Sequence, residues 1–265
     1  MTDKKDNAIG FFDSGVGGLS VYSRFRKLLP GENTIYFGDT VHLPYGNKSK
    51  EELIGYAKNI LNFFQSKGVK AVVIACNTSS AQAYDSIKDD YTFPIYPIIQ
   101  CCAKGVSALG YNRIGIFATE ATVRSGKYSE ELKKYNPNIQ VKEISSKNWV
   151  GIVEGVQENR EENIKKIKYE IEEMLKFAPE KIILGCTHYP YLMNEFVKYA
   201  SKNIFIDPAE IFVDYVKNDL EKQNLLTLSS SKATEEFYVT SKPQKFVENA
   251  KIFYELKTIP QVVSL

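Results

Sequence analysis

The sequence has few cysteines, almost no net charge and no long apolar run. Its 265 residues include only four cysteines, Cys76, Cys101, Cys102 and Cys186, too few and too scattered for the disulfide framework of a secreted protein. No apolar run reaches membrane-spanning length, and the polar start lacks the apolar segment of a signal peptide. We therefore expect free thiols, no membrane partner and a cytoplasmic location.

Charge and motif content exclude several further classes. Lysine and arginine total 34 against 32 acidic residues, a net charge of +2, and no basic block suggests a nucleic-acid partner. The chain has no CxxC pair, so a zinc site is disfavoured and we expect no metal. Its glycine-rich turn, Asp13–Leu19, lacks the lysine of a P-loop and the GxGxxG spacing of a dinucleotide site. A small solute is the expected partner.

Strand-like and helix-like patterns alternate along the chain. The first half predicts strands at Ile9–Phe12, Thr34–Phe37, Val69–Ala75 and Ile95–Ile98, and helices near Leu19–Leu29, Lys50–Lys67 and Ser79–Lys88. This is the βαβ pattern of a parallel sheet. The pattern restarts at Arg113–Thr119 and closes with a strand before Cys186. The separation along the chain from Gly115 to Cys186 is comparable to that from Gly10 to Cys76. The sequence therefore predicts an α/β fold of two similar parallel-sheet α/β domains.

The last part of the chain is predicted to return to the first domain. Its pattern gives a strand at Asn203–Asp207, a helix at Ala209–Leu220, a polar loop at Gln223–Thr234, a strand at Glu236–Val239 and a helix at Gln244–Leu256. We expect residues 1–98 plus 207–265 to form the first domain and residues 99–206 to form the second.

Two short strings each place a cysteine directly after a buried strand pattern. Cys76 follows Ala71–Ile74, and Cys186 follows Lys181–Leu184. Ligands bind at the carboxyl ends of strands in open α/β sheets. A cysteine there, ahead of a turn into a helix, would have its thiolate favoured by free N–H groups and the helix dipole. Two such thiols predict paired proton chemistry.

Two turns in the first half are candidates for carboxylate binding. Asp13 and Ser14 open the glycine-rich turn, whose backbone N–H groups suit an anion. The turn Gly38–Gly46 offers the amides of Tyr45 and Gly46. His42, in the same turn, is weak support, since a lone histidine is more often structural. Cys186 and His188 suggest a thiol–imidazole pair, provided that the turn brings them together.

Taken together, these segments resemble bacterial glutamate racemases of the aspartate/glutamate racemase superfamily. The resemblance covers nearly the whole chain, through the segments Ile9–Leu19, Tyr36–Thr40, Pro44–Gly46, Ala75–Thr78 and Gly185–Pro190. It implies a cofactor-independent enzyme that interconverts L- and D-glutamate and supplies D-glutamate for peptidoglycan, hence for cell-wall biogenesis and cell shape. It also implies that the active site lies in the cleft between the two domains, which enclose the substrate.

The resemblance also implies roles for individual residues. Cys76 and Cys186 match the two catalytic bases, and Asp13, His188 and Glu154 match polar residues that assist the thiols. Substrate contacts are implied for Asp13, Ser14, Tyr45, Gly46, Asn77, Thr78, Thr119, Thr122, Thr187 and His188, with Ser125 beside them. Relatives form dimers in several arrangements, so a homodimer is expected.

Three other functions stay open at this point. One methylene changes discrimination by only about 1–3 kcal/mol, so the substrate could be another acidic amino acid. The fold also permits a noncatalytic binding or regulatory protein. A thiol hydrolase or zinc enzyme is the third alternative.

Overall fold

Two fully parallel sheets form the framework of the protein. The computed structural model describes residues 4–155, 160–228 and 233–265. In this part of the chain, ten strands and twelve α-helices alternate. No helix within the described ranges is long and apolar enough to cross a membrane. The predicted α/β class with two parallel-sheet domains is confirmed.

The first sheet has six strands in the order β10-β9-β2-β1-β3-β4. β1 lies near its centre, pairing through Ile9 with Thr34 of β2 on one side and with Ala71 of β3 on the other. The inner strands are buried runs of β-branched and aromatic residues, as expected for a sheet covered on both faces. The bounds are β1 Ile9–Asp13, β2 Thr34–Gly38, β3 Ala71–Ile74, β4 Ile95–Pro97, β9 Glu235–Val239 and β10 Gln261–Val262.

The second sheet has four strands in the order β6-β5-β7-β8. Its centre is β5, which pairs through Ala118 with Ser145 of β6 and with Gly185 of β7. The bounds are β5 Arg113–Ala118, β6 Gln140–Ser145, β7 Lys181–Gly185 and β8 Phe205–Ile206. Since all pairs are parallel, the carboxyl ends of β5 and β7 share one edge of this sheet.

Helices cover the sheets and connect the two halves. α5 leaves the first sheet after β4 and packs against α7 and α11, and α11 packs in turn against α1. One apolar cluster therefore includes residues of both sheets, such as Phe11 and Ile116. The helices are α1 Leu19–Leu28, α2 Lys50–Ser66, α3 Asn77–Gln82, α4 Tyr84–Ile87, α5 Ile98–Ser107, α6 Glu120–Ser125, α7 Lys127–Tyr135, α8 Trp149–Glu154, α9 Arg160–Leu175, α10 Met193–Phe196, α11 Pro208–Lys222 and α12 Pro243–Ala250.

Several predicted boundaries were wrong. The single helix expected at Ser79–Lys88 is two short helices: α3 begins at Asn77 because Cys76 caps it, and a break at Ala83 separates it from α4. The last helix ends at Ala250 instead of Leu256. The strand expected at Asn203–Asp207 is a 3-10 turn followed by the two residues of β8. Of the predicted polar loop, residues 229–232 lie outside the described residues.

Candidate active site

One cavity lies between the carboxyl edges of the two sheets and contains both predicted cysteines. The first-domain side consists of Asp13, Ser14, Leu43, Pro44, Tyr45, Gly46, Asn47, Cys76, Asn77 and Thr78. The opposite side consists of Thr119, Glu120, Ser146, Lys147, Val150, Cys186, Thr187 and His188. Cys76 is 5% exposed and Cys186 is 8% exposed. The chain thus presents two nearly buried thiols from two different sheets to one cavity.

Cys76 is the N-cap of α3. Its Sγ accepts a hydrogen bond from the backbone N–H of Ser79 at 3.4 Å, so the predicted N–H group lies at the thiol. This N–H lowers the pKa of Cys76, in the predicted direction, but larger effects oppose it. Burial, together with the charge of Asp13, raises the pKa of Cys76 to about 12. The protonated thiol is therefore the favoured form of Cys76.

Cys186 has a different environment. The chain after it forms a turn and a 3-10 segment, Tyr189–Leu192, and α10 begins only at Met193. The predicted turn is present, but it leads first into a 3-10 helix, and the α-helix starts seven residues after Cys186. Instead, the turn brings Nδ1 of His188 to 3.8 Å from Sγ of Cys186. An imidazole thus takes the place that helix N–H groups have at Cys76.

His188 connects Cys186 to Glu154. Its Nε2 lies 2.9 Å from Oε1 of Glu154, and its side chain is 6% exposed. Burial lowers the pKa of His188, but the hydrogen bonds with Cys186 and Glu154 outweigh it and raise that pKa to about 10. A protonated imidazole beside Cys186 is the arrangement that stabilises a thiolate.

Asp13 lies on the Cys76 side of the cavity, at the end of β1. Its Oδ2 accepts a hydrogen bond from the N–H of Gly15 at 3.0 Å. Oδ1 has no partner within the described residues, and the residue is 1% exposed. Burial raises the pKa of Asp13 to about 6. The carboxyl group is thus poised to titrate near neutral pH, as acid–base groups in active sites commonly do.

The remaining predicted site residues separate into two groups. Ser14, Tyr45, Gly46, Asn77, Thr78, Thr119 and Thr187 line the cavity with Asp13 and His188. Thr122, Ser125 and Glu154 are not among the lining residues. Thr122 lies behind Thr119, with their hydroxyl oxygens 3.0 Å apart, and Ser125 donates to the carbonyl of Thr122. These three residues contact the site through others.

Several residues outside the predicted site have clear structural partners. Nδ1 of His42 lies 2.8 Å from Oδ2 of Asp39, the imidazole stacks on Tyr56, and His42 is not among the residues that line the cavity. Cys101 and Cys102 are buried in the apolar cluster around α5. Sequence reasoning missed Tyr128, whose hydroxyl donates to Oδ1 of Asn77 at 2.7 Å. No local motif around Tyr128 signals this contact.

Comparisons with known proteins agree on one family. The sequence profile described as Asp/Glu/Hydantoin racemase matches residues 9–216. The glutamate racemase of Carboxydothermus hydrogenoformans is 39% identical, covering 95% of this chain and 93% of that protein. The glutamate racemase of a Picosynechococcus species is 35% identical over 95% of this chain and 90% of its own length.

Solved structures give the same result for the fold. The glutamate racemase of Francisella tularensis, crystallised with D-glutamate, superposes with a TM-score of 0.86 at 31% identity, covering 98% of each chain. The glutamate racemase of Thermus thermophilus, crystallised with β-chloro-D-alanine, has a TM-score of 0.84 at 32% identity over 99% of each chain. The resemblance inferred from the sequence motifs is therefore confirmed. The chain belongs to the glutamate racemase family of the Asp/Glu/Hydantoin racemases.

Proposed function

We propose that this enzyme interconverts L- and D-glutamate without a cofactor, with Cys76 and Cys186 as its two bases. The observation that carries the proposal is that these two nearly buried cysteines, one from each sheet, line a single cavity. The names of relatives such as the Carboxydothermus enzyme, and the D-glutamate in the Francisella complex, support glutamate as the substrate.

Inversion at Cα requires one group to remove a proton from one face and another group to return a proton to the opposite face. A single side chain cannot easily reach both faces. With one cysteine as thiolate and the other as thiol, the thiolate takes the Cα proton while the thiol gives its own proton to the opposite face. The roles are exchanged afterwards, so the same pair also converts the other enantiomer.

The Cα proton is very weakly acidic, so negative charge that develops on the substrate must be stabilised before the proton can leave. We propose that the side chains of Ser14, Asn77, Thr78 and Thr187 and the amides of Tyr45 and Gly46 bind the carboxylates. All six residues line the cavity. Thr119 and Thr122 would support Thr78, whose hydroxyl lies 3.0 Å and 3.4 Å from theirs.

The auxiliary groups are proposed to differ between the two thiols. Protonated His188, held by Glu154, stabilises the thiolate of Cys186. Asp13, whose charge raises the pKa of Cys76, favours the protonated form of that thiol. This arrangement supplies one thiolate and one thiol, as two-base inversion requires.

The first test is deuterium exchange. Purified protein is incubated with L-glutamate in D₂O without added cofactor, while circular dichroism follows optical activity and proton NMR follows the Cα hydrogen. We expect the optical signal to decay to zero, with deuterium at Cα, because the enantiomers have equal free energies. Cys76→Ala and Cys186→Ala should each abolish the decay, whereas Cys101→Ala, a buried cysteine outside the cavity, should retain it.

Other outcomes would decide against parts of this proposal. Faster exchange of L-aspartate under the same conditions would point to another acidic substrate. No exchange of either amino acid by folded protein would indicate a noncatalytic role. Sensitivity to a chelator would contradict cofactor independence.

We further propose that the product supplies peptidoglycan synthesis, and hence cell-wall biogenesis and cell shape, and that the chain acts in the cytoplasm as a homodimer. The support is the family membership. Growth of a D-glutamate auxotroph carrying the gene tests the first statement, and sedimentation equilibrium tests the homodimer. The boundaries 1–98 plus 207–265 and 99–206 stay a proposal for the two domains, to be tested by limited proteolysis.

A further inference from the structure

An ion pair lies at the edge of the cavity on the second-domain side. Nζ of Lys147 is 2.8 Å from Oε2 of Glu120. Glu120 begins α6 directly after Thr119, and Lys147 follows β6 by two residues. Both residues line the cavity, yet the side chain of Lys147 is 65% exposed and that of Glu120 is 43% exposed. The pair therefore faces both the cavity and the solvent.

Lys147 brings a positive charge to a cavity whose other lining residues include few charged side chains. Among the described residues that line the cavity, it is the only lysine or arginine, and Asp13 and Glu120 are the acidic ones. Exposed ion pairs of this kind add little to stability, because water screens them and ordering two long side chains costs entropy. The pair is therefore not needed to hold the fold, and Lys147 is free to exchange one carboxylate partner for another.

We propose that Lys147 is a substrate-capturing residue, which binds a carboxylate of the incoming dicarboxylic amino acid, and that Glu120 competes with the substrate for it. This inference rests on the proposed function, since it concerns glutamate at the same cavity. Before binding, Glu120 holds the ammonium group. On binding, a substrate carboxylate displaces Glu120, whose own negative charge otherwise repels the anionic substrate.

Competition predicts effects of opposite sign at the two positions. Lys147→Met removes the attraction and leaves Glu120 to repel the substrate, so KM should rise. Glu120→Gln removes the competitor and the repulsion, so KM should fall. If the pair were only structural, breaking it from either side would shift KM in the same direction. The sign of the Glu120→Gln effect therefore separates the two interpretations.

The experiment measures initial rates of L-glutamate racemisation by the full chain at two ionic strengths, about 20 mM and about 200 mM. At the lower one, Lys147→Met should raise KM about threefold to tenfold with kcat nearly unchanged, and Glu120→Gln should lower KM by a similar or smaller factor. Lys147→Arg should keep a KM close to the wild type. The effects should shrink at the higher ionic strength, because the charges are exposed.

A matched control is Lys198→Met, which breaks an exposed ion pair with Glu195 away from the cavity and should leave KM unchanged. Equal KM for wild type, Lys147→Met and Glu120→Gln at low salt would overturn the inference, as would shifts in the same direction. Absence of glutamate turnover by the wild type would instead overturn the proposed function. The two failures are therefore distinguishable.

Discussion

The Nε2 atom of His188 lies 2.9 Å from Oε1 of Glu154, a contact between residues 34 positions apart. It links α8 to the turn that carries Cys186, and the histidine bonds the thiol through its other nitrogen at 3.8 Å. Of the chain's two histidines, the other, His42, contacts Asp39 instead. The two imidazoles therefore lie in different environments, and only His188 reports on the site.

Glu154→Gln should lower the pKa of His188 and weaken catalysis. The hydrogen bond and charge of Glu154 help to raise this pKa from 6.5 to about 10, so the protonated imidazole persists through that range in the native protein. In the variant, the fall of kcat/KM at high pH should begin at a lower pH. Near pH 8, kcat/KM should be about tenfold to a hundredfold below that of the wild type. Because the enantiomers have equal free energies, kcat/KM must fall equally in both directions.

NMR titration of the two histidines checks this prediction directly. The imidazole resonance that survives in His42→Asn belongs to His188, and its midpoint should shift to lower pH in Glu154→Gln. Glu172→Gln, on an exposed position of α9, is the control and should change neither the midpoint nor the rate. An unshifted His188 midpoint in Glu154→Gln would contradict the assigned contact.

Asp13→Asn should stabilise the substrate-free protein while lowering its activity. Burial raises the pKa of Asp13 from 3.8 to about 6, so the folded state binds a proton more tightly than the unfolded state. The native protein therefore loses stability as pH rises from about 4 through about 6, by a few kcal/mol at most. Asparagine carries no charge at this site and keeps an oxygen for the N–H of Gly15.

Thermal unfolding at several pH values measures this effect. At about pH 8 the free energy of unfolding should be on the order of 1–3 kcal/mol higher in Asp13→Asn than in the wild type. Below about pH 4 the difference should vanish, because Asp13 is then protonated in both states. A variant that is less stable than the wild type at pH 8 would show that the ionised carboxylate has partners which stabilise it.

Tyr128→Phe should loosen the amide of Asn77 and raise KM for glutamate. The Tyr128 hydroxyl donates to Oδ1 of Asn77 at 2.7 Å, and both side chains are buried. Losing the donor leaves a buried oxygen unpaired, which costs about 1–3 kcal/mol of folding free energy. Chemical denaturation and steady-state kinetics measure the two effects. Tyr169→Phe, 64% exposed on α9, should change neither quantity.

The same contact shows what local sequence could and could not predict. The strands before Cys76 and Cys186 were predictable, since buried parallel strands have continuous apolar runs and ligands bind at their carboxyl ends. Tyr128 and Asn77 are 51 residues apart, and nothing in either segment signals the other. Lys147 was missed for the same reason, because its contact with Glu120 depends on the pairing of β5 and β6.

For Cys76, the sequence predicted one influence on the thiol and missed the two larger ones. A strand followed by a polar turn indicates where N–H groups will lie, and at Cys76 the N–H of Ser79 does lie at the sulfur. The pattern contains no information on how deeply the thiol is buried or on which charges from distant segments face it. Burial and Asp13 decide the pKa of Cys76, and both follow from long-range packing.

Gly17→Ala should push the two sides of the cavity apart. A Cβ at Gly17 would overlap the ring of His188 and the hydroxyl of Thr187 on the opposite side. The turn or the imidazole must therefore move, and a displacement of about 1 Å can reduce turnover by about a hundredfold. We expect a loss of at least this order in kcat/KM, with a destabilisation of about 1–3 kcal/mol.

Gly55→Ala is the matched control. Gly55 lies in the exposed part of α2 with nothing within 4 Å of an added Cβ, so alanine should raise helix stability by about 0.5–1 kcal/mol and leave kcat/KM unchanged. Steady-state kinetics and thermal unfolding of both variants measure the contrast. Full activity in Gly17→Ala would mean that catalysis tolerates a wider cavity, and that the close approach of Gly17 to His188 is not needed for turnover.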